Sequence, residues 1–92
     1  MTHTDDPLAS NAELHRYLLQ TAELLTLLGR AEQADKVRRA AAQGAGMSTE
    51  FLGESKIALV DVLRNSGNVM DVADRNRVAA VIEQLEKALN RR

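Results

Sequence analysis

A repeating pattern of apolar residues at helical spacing is the feature that most limits how this chain can fold. Gaps of three and four residues are typical of one face of an α-helix. Gly29 can adopt the left-handed conformation that ends such a helix, and Ser10 with Glu13 matches a capping box at its start. We therefore predict a first helix over about residues 11–28, with its inner face at Leu14, Tyr17, Leu18, Thr21, Leu24, Leu25 and Leu28.

Three more helices are predicted, over about residues 30–43, 49–65 and 71–90. The second has a narrow apolar face made mostly of alanine, and only Gly29 separates it from the first, so the two should form an antiparallel hairpin. A short Gly-containing loop joins the third and the fourth. The expected fold is all-α, a compact bundle of four helices built from two helical hairpins.

The domain organisation follows from the length of 92 residues, which allows one domain. We expect residues 1–9 to be a disordered N-terminal lead and residues 10–92 to be a single four-helix domain. Thirteen Leu against seven Val and two Ile favour helix over sheet. The chain has no Cys and no apolar run of about 18 residues, which excludes a disulfide scaffold and a transmembrane span.

The charges give little indication of a partner. Twelve basic against thirteen acidic residues leave a formal net charge of −1, so no overall field attracts nucleic acid or an anionic membrane. The first six residues are polar and acidic, which is unlike a secretory signal. Nine Arg against three Lys, with abundant Ala, are typical of GC-rich coding. We expect a bacterial, cytoplasmic protein.

One segment resembles a known repeat. Residues Leu28–Ala34 are similar to the turn of a tetratricopeptide repeat, with the glycine and the final alanine at the family's spacing and Ala41 at a later small position. Thr21 and Arg38 stand where that family usually has large apolar or aromatic side chains, and no second copy follows at a 34-residue period. The resemblance implies a tight helical hairpin over this part of the chain.

Some apolar residues are left over once the inner faces are assigned. Leu19 and Leu27 lie outside the main stripe of the first helix. Ile57 and Val60 lie opposite the inner face of the third, which consists of Phe51, Leu52, Ser55, Leu59, Val62 and Leu63. A helix that is apolar on two sides is either central or covered by a partner. These four residues are candidates for a homodimer interface. The alternative is that they are ordinary scattered surface residues.

An acidic patch supports a second hypothesis. Glu50, Glu54 and Asp61 lie on the third helix and would suit a basic protein partner, as in an immunity or antitoxin-like binder. In a third hypothesis, the last two helices form a helix-turn-helix DNA reader. Arg75 and Arg77 would then be offered to DNA, but acidic residues share that face, so nucleic acid is an improbable partner.

No residue pattern indicates a catalytic, cofactor or metal site, and we expect a non-enzymatic protein. His15 lacks a second His or Cys at ligand spacing, and we expect it to lie at the edge of the apolar face of the first helix. Gly53 inside the third helix suggests close approach of another helix. The sequence leaves open whether Gly44-Ala45-Gly46 with residues 50–56 binds a ligand. The leading hypothesis is a small protein–protein interaction domain that forms homodimers.

Overall fold

Four α-helices confirm the predicted all-α bundle. The computed structural model describes residues 11–42 and 49–90. In this part of the chain α1 covers Asn11–Leu27, α2 Ala31–Ala42, α3 Thr49–Ser66 and α4 Val72–Asn90. Each bound lies within one residue of its prediction. The expected lead over residues 1–9, Ser10 of the predicted capping box and the loop Gly44-Ala45-Gly46 lie outside the described residues.

The turn between α1 and α2 contains the left-handed glycine that the sequence predicts at the end of the first helix. Gly29 has a φ of 80°, a left-handed conformation in which any side chain would be strained. The amide of Gly29 donates to the carbonyl of Thr26 at 3.1 Å, and the amide of Arg30 donates to that of Leu25 at 2.8 Å. These bonds satisfy carbonyls at the end of α1 that have no partner within the helix.

The connection between α3 and α4 contains a helical turn where a short Gly-containing loop was predicted. α3 continues through Ser66, and a 3-10 turn follows at Gly67–Val69, where the amide of Met70 donates to the carbonyl of Gly67 at 3.2 Å. Asp71 then caps α4, because its Oδ1 accepts a 2.8 Å hydrogen bond from the amide of Asp74.

One apolar core joins the four helices. Along the chain, α1 packs on α2, α2 on α3 and α3 on α4, which gives the two predicted hairpins and a contact between them. Of the inner face predicted for α3, Phe51, Ser55, Leu59 and Val62 are buried, and Leu52 and Leu63 are half-buried against the core. The other buried apolar residues are Leu14, Leu18, Ala22, Leu25, Ala34, Val37, Ala40, Ala41, Ala58, Met70, Val78, Val81 and Leu85.

None of the helices described, α1 to α4, combines the length and the apolar character that crossing a bilayer requires.

Candidate functional site

The outward face of α3 carries two apolar residues on the side of the helix away from the core. We call the residues along it the outer stripe; they are Glu50, Gly53, Ile57, Val60 and Arg64. At about 100° per residue they lie opposite the buried side of α3, and none of them is buried. Ile57 leaves 65% of its surface exposed on this face.

Polar contacts fix α3 on both sides of the outer stripe. On one side, Nζ of Lys36 on α2 lies 3.3 Å from Oδ2 of Asp61. On the other, Nζ of Lys56 lies 3.6 Å from Oε2 of Glu86 on α4. These contacts link α3 to α2 on one side of the outer stripe and to α4 on the other.

Asp61 is the most highly coordinated charged residue at this site. Its Oδ2 accepts hydrogen bonds from Nε2 of Gln33 at 3.0 Å and from Lys36 at 3.3 Å, and its Oδ1 accepts from Nδ2 of Asn65 at 2.6 Å. The bond from Gln33 is the main reason that the pKa of Asp61 is lowered, with Lys36 and Asn65 adding to it. Asp61 is therefore held as a charged, structural carboxylate.

A groove of about 770 Å³ runs beside the outer stripe, between α2 and α3. Its apolar surface comes from small and branched side chains, and its polar surface carries both signs of charge. Four basic and two acidic residues line it, and one of the acidic residues is Asp61, already bound to Lys36. The lining comprises Lys36, Arg39, Ala40, Glu54, Lys56, Ile57, Ala58, Val60, Asp61 and Arg64.

The four candidate interface residues fall on two separate surfaces. Ile57 and Val60 both line the groove. Leu19 and Leu27 lie on α1, with 41% and 84% of their surfaces exposed, and neither contributes to the lining of the groove. The structure thus brings the α3 pair together and leaves the α1 pair apart from it.

The three residues of the predicted acidic patch are in different settings. Asp61 is bound by three donors, as described above. Glu54 lines the groove together with the four basic side chains, and Glu50 is exposed in the first turn of α3. Of the three, Glu50 and Glu54 keep carboxylates that no ion pair with a described residue occupies.

Gly53 does not have the packing role expected of it within this chain. A Cβ atom placed on Gly53 would meet no heavy atom of the described residues within 4 Å, because the glycine faces outward on the stripe. Lys36, Arg39 and Arg64, which line the groove, were not singled out from the sequence. Arg64 could have been, since it follows Ile57 by seven residues and Val60 by four on the same face.

Other charged residues have roles within the fold. The guanidinium of Arg77 on α4 lies 5.7 Å from the ring centre of Tyr17 on α1, a cation–π contact across the bundle. Burial raises the pKa of Tyr17. Nδ1 of His15 lies 3.0 Å from the carbonyl oxygen of Ala41 and bonds α1 to the end of α2. Within residues 11–42 and 49–90, no three potential ligand side chains cluster as a metal site would require.

Comparisons of the chain with family models, with curated proteins and with solved structures find no match.

Proposed function

We propose that the protein is a non-enzymatic protein–protein interaction domain that forms a homodimer through the outward face of α3. The observation that carries the proposal is the exposure of Ile57, which leaves 65% of its surface open on a helix fixed to both neighbours. Val60 extends this apolar area on the same face. Covering such an area with a partner removes apolar surface from water, which is favourable by about 25 cal/mol per Å².

The polar groups beside Ile57 suit a binding role better than a catalytic one. A general acid or base works best with a pKa near the operating pH. The hydrogen bonds to Asp61 move its pKa in the opposite direction, further below neutrality. Its three donors also occupy both carboxylate oxygens, so that a substrate would have to displace a structural contact between α2 and α3.

Binding of a basic partner by the acidic patch has weaker support than self-association. Asp61 already forms an ion pair with Lys36, which leaves Glu50 and Glu54 as the acidic groups for a partner. Glu54 shares the groove with four basic side chains, and these would repel a basic partner.

The test is the solution mass of the full chain, measured by size exclusion with light scattering. We expect the wild type at twice the 10.1 kDa of one chain, and Ile57→Glu at the mass of one chain. Leu27→Glu is the matched control, because Leu27 is even more exposed but lies on α1. We expect it to remain a dimer. Circular dichroism must show the same helix content in all three proteins.

Two results would contradict the proposal. A wild type that is monomeric at high concentration would exclude the homodimer. A dimer that survives Ile57→Glu but dissociates with Leu19→Glu or Leu27→Glu would move the interface to α1.

A further inference from the structure

We propose that two copies of the chain pair through antiparallel α3 helices, with the two-fold axis passing beside Ile57. This inference rests on the proposed homodimer and adds its geometry. The residues of the outer stripe follow one another at steps of three, four, three and four. That is the spacing at which one helix presents a continuous seam to another. The seam is apolar at its centre, in Ile57 and Val60, and charged at both ends.

The charges at the two ends of the stripe are complementary to each other. Glu50 precedes Ile57 by seven residues and Arg64 follows it by seven. At about 1.5 Å per residue, each lies about 10.5 Å along the helix from Ile57. A two-fold axis at Ile57 therefore places Glu50 opposite the partner's Arg64 at both ends. Parallel helices would instead place Glu50 against the partner's Glu50, and Arg64 against the partner's Arg64, so charge selects the antiparallel arrangement.

Both charges are available for this pairing. Glu50 and Arg64 are exposed, and neither forms an ion pair with another described residue. The basic and acidic groups next to them, Lys36 with Asp61 and Lys56 with Glu86, are already paired within the chain. The self-complementary charges of the stripe are thus distinct from those that hold the bundle together.

Gly53 gives independent support for a close helix contact. Gly53 precedes Ile57 by four residues and Val60 follows it by three, so the antiparallel pair brings the partner's Val60 within one residue of Gly53. Among residues 11–42 and 49–90, no heavy atom lies within 4 Å of a Cβ placed on Gly53. A glycine at this position weakens the helix, yet it allows the backbone of a second helix to approach closely.

Charge exchange tests the arrangement. We expect Glu50→Arg and Arg64→Glu each to raise the dimer dissociation constant at least about tenfold, which corresponds to ~1.4 kcal/mol. The double variant restores both pairs with their signs reversed and should return to within about threefold of wild type. Mixing the two single variants should give a heterodimer with opposite charges facing each other at both ends, one pair as in the wild type and the other with its signs exchanged. Glu83→Arg and Lys87→Glu, on the exposed side of α4, are controls that should leave dimerisation unchanged.

Cysteine cross-linking tests the axis without relying on charge. The chain contains no Cys, so a single introduced thiol can bond only to its copy. Ile57→Cys should form an intermolecular disulfide under mild oxidation, because the two copies meet at the axis. Arg64→Cys should not, because the two positions would be about 21 Å apart along the seam, far beyond disulfide reach. Parallel helices would cross-link at both positions.

The outcomes separate this inference from the proposed function. The homodimer would stand, but the antiparallel arrangement would be overturned, by the following combination of results. Ile57→Glu dissociates the dimer, the double charge exchange does not restore the affinity lost in the single charge variants, and Arg64→Cys forms an intermolecular disulfide. A monomeric wild type would overturn both. Restoration by the double exchange, with cross-linking at Ile57→Cys alone, would support both.

Discussion

Nε2 of Gln33 on α2 donates a 3.0 Å hydrogen bond to Oδ2 of Asp61 on α3, and this bond joins the two predicted hairpins. Lys36 reaches the same oxygen from the next turn of α2, at 3.3 Å. Gln33 is almost fully buried, and the side chain of Asp61 keeps 26% of its surface exposed. Loss of the charge on Asp61 would therefore weaken the contact between α2 and α3.

The stability of the protein should depend on the charge of Asp61. We expect Asp61→Asn to lower the free energy of unfolding by about 1 kcal/mol at pH 7, because the ion pair with Lys36 is lost and the bond from Gln33 is weakened. The lowered pKa of Asp61 means that its contribution is present above the ordinary Asp pKa of about 3.9. The contribution is lost as the pH falls through the lowered value in the folded protein.

Urea unfolding of both proteins between pH 7 and pH 2 checks this expectation. The two stabilities should converge at the acid end of the range. Asp35→Asn is the matched control, because Asp35 forms only an exposed pair with Arg38 within α2 and should change stability by less than about 0.5 kcal/mol. A difference between wild type and Asp61→Asn that persists unchanged at pH 2 would contradict the electrostatic explanation.

The buried hydroxyl of Ser55 should be destabilising. Ser55 is fully buried on the inner face of α3, and its Oγ has no hydrogen-bond partner among the described residues. We expect Ser55→Ala to raise the free energy of unfolding by about 1 kcal/mol, because it removes an unpaired polar group and improves helix propensity. Ser55→Val, which adds volume at a closed site, should lower it. Thermal unfolding that shows Ser55→Ala to be less stable than wild type would mean that the hydroxyl has a partner.

The turn at Gly29 offers a test of backbone conformation alone. No atom of a described residue lies within 4 Å of a Cβ placed on Gly29, so the strain on a side chain there comes from its φ of 80° and not from a collision with these residues. We expect Gly29→Ala to destabilise the fold by about 1 kcal/mol in urea unfolding. Gly29→Asn should cost less, because Asn tolerates the left-handed conformation better. Equal losses for the two variants would point away from backbone strain.

The helices could be predicted from the sequence because local signals determine them. Gly29 and Asp71 end and begin helices through bonds within a few residues of themselves, and the inner face of α3 follows from the spacing of Phe51, Leu59 and Val62. These features need no knowledge of how the hairpins pack. The 3-10 turn after Ser66 was missed because a tightened helix end and a short loop have the same composition.

The candidate site was only partly predictable, because it depends on which helices become neighbours. The spacing predicts that Ile57 and Val60 lie opposite the core, but it could not separate them from Leu19 and Leu27, which lie on α1 away from the groove. It also grouped Asp61 with Glu50, although packing of α2 brings Lys36 onto Asp61. The separation of the two apolar pairs and the pairing of Asp61 both depend on how the helices pack together. The spacing of residues within one helix does not contain that information.

Gly53→Ala should have opposite effects on the folding of one chain and on its dimerisation. The new methyl group meets no atom within 4 Å in the part of the chain that the structure describes, and Ala stabilises a helix interior relative to Gly. In the monomeric Ile57→Glu background we therefore expect the free energy of unfolding to rise by about 1 kcal/mol. In the otherwise wild-type chain the same methyl faces the partner's Val60, and the dimer dissociation constant should rise about tenfold, the equivalent of ~1.4 kcal/mol.

Ala79→Gly, at an exposed position within α4, calibrates helix propensity and should lower stability without affecting the dimer. Urea unfolding and sedimentation equilibrium measure the two quantities separately, and a tighter dimer for Gly53→Ala would show that the helices do not approach closely at Gly53.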